Sequence, residues 1–159
     1  MILSPLRNTV SLLGKDVKPV ITQNFGERPE FYKQYGFQGH EGVDLRARTP
    51  TPVFAPIEGK AEVKDTGTRA YGLHVIISNE RLRVILAHLK SVEVHTGQNL
   101  RLGDLIGLTG DSGSAKGAPH LHMTVMKMNG PQIVDKKNGY GGGINVSKYI
   151  VCWRETLIS

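Results

Sequence analysis

The chain has almost no sulfur chemistry: Cys152 is its single cysteine among 159 residues. No intrachain disulfide can form, and no cysteine-built structural zinc site is available. Beside Trp153 in YIVCW, Cys152 reads as a buried, inert thiol. Long apolar runs are missing as well. Nothing approaches the roughly 20 apolar residues of a membrane span, which excludes membrane insertion by a helix. The opening MILSPLRNTVSLLG is interrupted by Pro5, Arg7 and Asn8, so it has no apolar core of signal-peptide length. The expectation is synthesis in the cytoplasm without a Sec signal. Acidic residues are the scarcer charge: 20 Lys+Arg against 14 Asp+Glu leave a net +6. A basic surface favours anionic partners. The cations are scattered, however, with Lys136–Lys137 the only adjacent pair, and no aromatic-basic motif accompanies them, so no nucleic-acid partner is expected.

What the chain does have is short apolar runs bounded by Gly, Pro, Asn and Asp, the pattern of strands joined by turns. Strands are expected at about KPVITQ, PVFAPI, GKAEVKD, LHVIIS, RLRVILAHL, DLIGLTG and HLHMTVMKM. Repeated turn signals between them imply packed antiparallel sheets. SPLRNTVSLL near the start and NVSKYIVCW near the end read as short helices, the second capped by Asn145. NGYGGG at 138–143 reads as either a mobile loop or a tight connection. No repeat or second domain is visible. The expected fold is mainly β: a single-domain antiparallel β-sheet assembly of residues 1–159 with short helices near the termini.

The six histidines separate by their surroundings. In GHEGVDL, His40 and Asp44 lie on either side of Gly42; in an extended segment positions 40, 42 and 44 face one way, and Gly42 leaves the gap open. In HLH, His120 and His122 share a strand face while Leu121 points into the core. Paired imidazoles repel when protonated and lose water when buried, so the pair implies a use. His88 closes the apolar run RVILAHL. His74, opening a strand, reads as a hydrogen-bonded structural residue, and His95, before a turn, as exposed. His40, Asp44 and one histidine of HLH supply two nitrogens and one oxygen, leaving a coordination position free. Three protein ligands plus water is the catalytic zinc pattern, whereas structural sites are closed by four. The residues alone leave open whether His120 or His122 is the ligand. His88 and the remaining imidazole are then available to handle protons beside the metal.

In order along the chain, ITQNFGERP, HEGVDL, APIEGKAEV, AHL and GLTGDSGSAKGAPHLHMTV resemble the spaced motifs of the lysostaphin-like (LytM-type) zinc endopeptidases that cut bacterial peptidoglycan. HEGVDL matches the family's His-x-Gly-x-Asp, and AHL and HLH its later histidine motifs. The likeness covers roughly residues 19–128, leaving 1–18 and 129–159 as extensions. It implies that His40, Asp44 and His122 hold one zinc per chain, and that His88 and His120 are catalytic histidines outside the ligand set. It implies hydrolysis of peptide cross-links or stem peptides of peptidoglycan. Without an export signal, the expected setting is a bacteriophage endolysin or virion-associated lysin that reaches the wall after release or on the virion.

Three rival readings use parts of the same sequence. Two histidines and a carboxylate also form the facial triad of non-haem iron oxygenases, but those enzymes have no need of two further imidazoles. A non-catalytic relative, binding the wall or serving in a phage tail, would be expected to have lost ligands, and all five positions are intact. A nucleic-acid binder rests on charge alone.

Overall fold

The computed structural model describes residues 2–6 and 19–151. Its first half supplies β1 (Ile2–Leu3), β2 (Ile21–Gln23), β3 (Val43–Leu45), β4 (Pro52–Phe54), β5 (Gly59–Asp65) and β6 (Leu73–Ser78). The second half supplies β7 (Leu82–Ala87), β8 (Leu89–Val92), β9 (Asn99–Leu100), β10 (Leu105–Thr109), β11 (Leu121–Asn129), β12 (Gln132–Ile133) and β13 (Ile150–Val151). The large sheet runs β2-β3-β11-β7-β6-β5-β9, with β12 paired to β11; the small sheet runs β4-β10-β8. Every pairing in both is antiparallel, and among the described residues only β1 and β13 pair parallel.

Alternation along the strands gives the large sheet two different faces. Leu121, Met123 and Val125 of β11, Val84 and Leu86 of β7, and Val75 and Ile77 of β6 enter one core, which also contains Val53, Leu89 and Ile106 of the small sheet. Burial of these apolar side chains at about 25 cal/mol per Å² is the main force holding the two sheets together. The opposite face carries a smaller cluster of Ile76, Ile85, Ala87 and Met126, and at its end the polar residues His122 and Thr124. An apolar face buried on one side and a polar corner on the other place the chemistry at the margin of the sheet.

β5 and β6 fall where the sequence places them, because a glycine or a turn bounds each. The run RLRVILAHL does not form one strand. His88 takes φ 62, a left-handed conformation rare for a residue with a side chain, and divides β7 from β8. Among the described residues, helix is confined to α1 (Pro29–Tyr32) and to 3-10 turns at Lys33–Tyr35 and Gly113–Ala115. Most of SPLRNTVSLL lies outside the described residues. In NVSKYIVCW, residues 147–149 turn and Ile150–Val151 form β13 against Ile2–Leu3, so the described part is turn and strand where a helix was expected, and Cys152 and Trp153 lie outside the described residues. Asn145 does accept a local bond, from the Ser147 N–H at 3.2 Å, but it caps a turn. NGYGGG is a tight connection: the Asn138 amide oxygen accepts the N–H groups of Tyr140 and Gly142, and its nitrogen donates to the Gly143 carbonyl.

Candidate metal centre

Strand register assembles the site. Asp44 on β3 lies opposite His122 on β11, and His122 lies opposite Ala87 on β7, the residue before His88. Three neighbouring strands thus deliver an aspartate and two histidines to one end of the sheet. Gly42 answers to that packing: a Cβ there would stand 2.4 Å from the Met123 carbonyl oxygen and 3.0 Å from the His122 ring. Only a residue without a side chain lets β3 approach β11 so closely. His40 precedes β3 in an irregular stretch between two bends and is pinned by two backbone bonds, its N–H to the Glu27 carbonyl and its carbonyl to the Gly26 N–H. The Tyr32 ring from α1 stacks on it at 5.1 Å.

His40 Nε2, His122 Nδ1 and Asp44 Oδ1 form a triangle with sides of 2.9, 2.9 and 3.2 Å. All three residues are buried. Ligand atoms held about 2.0–2.1 Å from a tetrahedral zinc would stand about 3.3 Å apart, close to this triangle. The far side of each ring supports the same assignment. His40 Nδ1 lies 3.1 Å from the Asn24 carbonyl, which can only accept, so that nitrogen carries the proton and Nε2 offers a lone pair. His122 Nε2 lies 2.7 Å from Thr124 Oγ1 and 3.3 Å from Glu41 Oε1, leaving Nδ1 to face the triangle. Three acceptors converging on one point is an arrangement a cation satisfies. With both imidazoles neutral, Asp44 and the adjacent Glu41 bring two negative charges, which a divalent ion balances.

The electrostatics follow from this crowding. Burial works to raise the Asp44 carboxyl, but hydrogen bonds with His122 and His40 outweigh it and hold it well below the usual carboxylate range. Glu41 behaves alike, held down to about 2 against its burial by His122 and Tyr71. Burial works to lower His122, yet Asp44 and Glu41 push it well above its ordinary value. A metal would therefore take the place of a proton on His122.

His88 and His120 flank the triangle with ring centroids 4.8 Å apart. His88 Nδ1 donates to the Ser112 carbonyl at 2.8 Å. Burial, then the neighbouring His122 and His120, lower its pKa to about 4, so it is neutral at pH 7. His120 Nδ1 donates to the Ala118 carbonyl at 2.8 Å, and its Nε2 stands 3.5 Å from Asp44 Oδ2. All five residues singled out in the sequence thus meet in one place. His74 does not: it is buried and its Nδ1 donates to the Gly72 carbonyl, a structural role as expected. His95 is exposed. Sequence reasoning missed the aromatic wall. Phe31, Tyr32, Tyr35 and Phe37 line a cleft of about 270 Å³ that also touches Glu41, Tyr71, His88 and His122. The cluster of four aromatics within 31–37 was the available signal.

Two packed β-sheets with a buried two-histidine, one-carboxylate cluster and two further imidazoles beside it, one of them lining a cleft, define a metallopeptidase class of site. The sequence model of Peptidase family M23 matches residues 38–136, and the chain belongs to that family. Over 92 residues it is 33% identical to peptidoglycan DD-endopeptidase ShyB of Vibrio cholerae, an overlap of 58% of this chain and 21% of that protein. A zinc-containing peptidase from Vibrio cholerae has a similar structure, with 26% identity and a TM-score of 0.62 over 84% of this chain and 39% of that one. So does the catalytic domain of the prophage-encoded M23 protein EnpA from Enterococcus faecalis, with 25% identity and a TM-score of 0.63 over 91% and 97%. The chain spans about a fifth of the length of the curated relatives it matches, 18% and 21% of the first two. Family members are zinc-dependent metallopeptidases, and the donor set here fits that metal.

Proposed function

We propose that this chain is a zinc-dependent endopeptidase that hydrolyses peptide cross-links or stem peptides of bacterial peptidoglycan, in the setting of a phage endolysin or virion-associated lysin. The observation that carries the reading is the convergence of three buried lone pairs, from His40, Asp44 and His122, beside two imidazoles that are not needed as ligands. The relative named a peptidoglycan DD-endopeptidase supports the substrate, and the prophage-encoded neighbour supports the phage setting.

His40 Nε2, Asp44 Oδ1 and His122 Nδ1 would hold the zinc. When bound, zinc polarises a carbonyl and lowers the pKa of a coordinated water to about 7. The rest falls to the chain's own groups. His88 is fixed by Ser112 with Nδ1 protonated, so its Nε2 is the atom that accepts a proton from water as it adds to the scissile carbonyl. His120, part exposed and beside Asp44, carries a proton to the leaving amine nitrogen. The carbon–nitrogen bond breaks, hydroxyl goes to the carbonyl carbon and hydrogen to the amine. The aromatic wall of the cleft packs against the aliphatic parts of the peptide, and the net +6 favours an anionic wall.

Digestion of purified sacculi tests this. New amino termini and shortened or uncrosslinked stem peptides should appear by mass spectrometry with the wild-type protein. Intact sacculi after exposure to zinc-loaded wild type would defeat the proposal in favour of a wall-binding protein without hydrolytic activity.

A further inference from the structure

Glu41 stands next to His40 in sequence, and the proton transfers described above do not use it. It is 4% exposed. Its Oε1 accepts a 2.7 Å hydrogen bond from the Tyr71 hydroxyl and lies 3.3 Å from His122 Nε2, while its Oε2 is buried with no hydrogen-bond partner. Burying a carboxylate with half its acceptor capacity unused is strongly unfavourable unless a nearby positive charge compensates. The surrounding contacts all lead to the same ring. His122 Nε2 donates to Thr124 Oγ1, and Tyr71 donates to the Glu41 oxygen that lies against that same nitrogen. These contacts lie on the side of His122 opposite the nitrogen that faces His40 and Asp44.

We infer, on the reading that His40, Asp44 and His122 hold zinc, that Glu41 is a positioning residue for that metal. It fixes His122 with Nδ1 toward the ion and supplies the second negative charge that makes a divalent centre neutral. Asp44 alone would leave a bound divalent ion with one uncompensated charge in a buried site. A carboxylate lying against the outer N–H of a metal-bound histidine raises the basicity of the ligand nitrogen by its charge, and loss of such outer partners weakens metal binding.

The test is a zinc titration of the whole chain in competition with a chromophoric chelator, on wild type, Glu41→Gln and Thr124→Val. Glu41→Gln keeps the shape but removes the charge and should bind zinc about 10–100-fold more weakly. Thr124→Val removes a neutral acceptor and leaves the carboxylate, so its loss should be smaller. The visible bands of the cobalt(II)-loaded protein should also shift in Glu41→Gln, which a residue that merely supports the fold would not cause. Unchanged zinc affinity in Glu41→Gln overturns the inference, as does an equal loss in Thr124→Val. If Glu41→Gln does not fold, Tyr71→Phe replaces it, leaving the carboxylate but removing the hydroxyl that holds it. Weakening of about threefold or more then supports the assignment, and unchanged affinity overturns it. Wild-type protein that takes up no zinc would refute the metal reading itself, a result distinct from either.

Discussion

His88 owes its position to one backbone angle. At φ 62 it turns the chain between two strands and brings its ring toward His120, in a region where a side chain is tolerated only when the surroundings enforce it. Its burial has a measurable consequence. The imidazole is held near 4 in the folded protein against an ordinary 6.5, so the unfolded chain takes up a proton that the folded chain does not. The sign is fixed by linkage: this contribution to stability is fully present above pH 6.5 and is lost as pH falls toward 4. His88→Asn, which tolerates a left-handed backbone and does not titrate, should flatten the fall in melting temperature of the metal-free protein between pH 7 and 5. His74, also pushed down by burial, is common to both proteins and cancels in the comparison. Parallel profiles would show that His88 titrates as it does in water. At this scale much of the site was legible, because histidines inside apolar strand sequence are conspicuous. Glu41 was not. A glutamate beside a motif histidine carries no signal until folding brings it to Tyr71 and His122, 30 and 81 positions away.

Strands and turns were legible where punctuation is local. GKAEVKD and LHVIIS are bounded by glycine and turn residues and form as read. The carboxy-terminal YIV segment was misread because its helical cap signal was real but local, while a partner strand at Ile2–Leu3 decided the conformation. The shortness of β3 was equally hidden, since His40 reaches the site from an irregular stretch and not from an extended strand. Gly42 shows how tightly β3 is set. Gly42→Ala would place a methyl 2.4 Å from a backbone oxygen of β11, an atom that cannot move aside cheaply. Overpacking of this kind typically costs about 1–3 kcal/mol. Denaturant unfolding should show a loss of that order, and zinc affinity should fall with it because Asp44 and His122 pair across the same two strands. Wild-type stability together with wild-type affinity would mean that β3 and β11 are not held at the spacing described.

For the whole molecule, the sequence told more about the kind of fold than about its pairing. The β5–β6–β7 meander follows chain order and could be drawn from turns alone. The placement of β11 between β3 and β7 could not, since it joins residues 44 and 122 across 78 positions, and loop closure of that span leaves no local mark. Yet this non-local pairing makes the centre. It sets Asp44 and His122 on adjacent strands with His40 just ahead of the first, presents two more imidazoles beside them and leaves the opposite sheet face to hold the core.

The proposed function divides these five residues into two groups, metal ligands and proton carriers, and zinc content measures that division directly. Single alanine variants of His40, Asp44, His122, His88 and His120 would be purified with zinc present, exhaustively buffer-exchanged and analysed for metal per chain. The expected result is close to one zinc in wild type, His88→Ala and His120→Ala, with hydrolysis of sacculi in those two variants reduced about 10²–10⁴-fold. His40→Ala, Asp44→Ala and His122→Ala should lose most of the metal. Full zinc occupancy in Asp44→Ala, or its loss in His88→Ala or His120→Ala, would contradict the division.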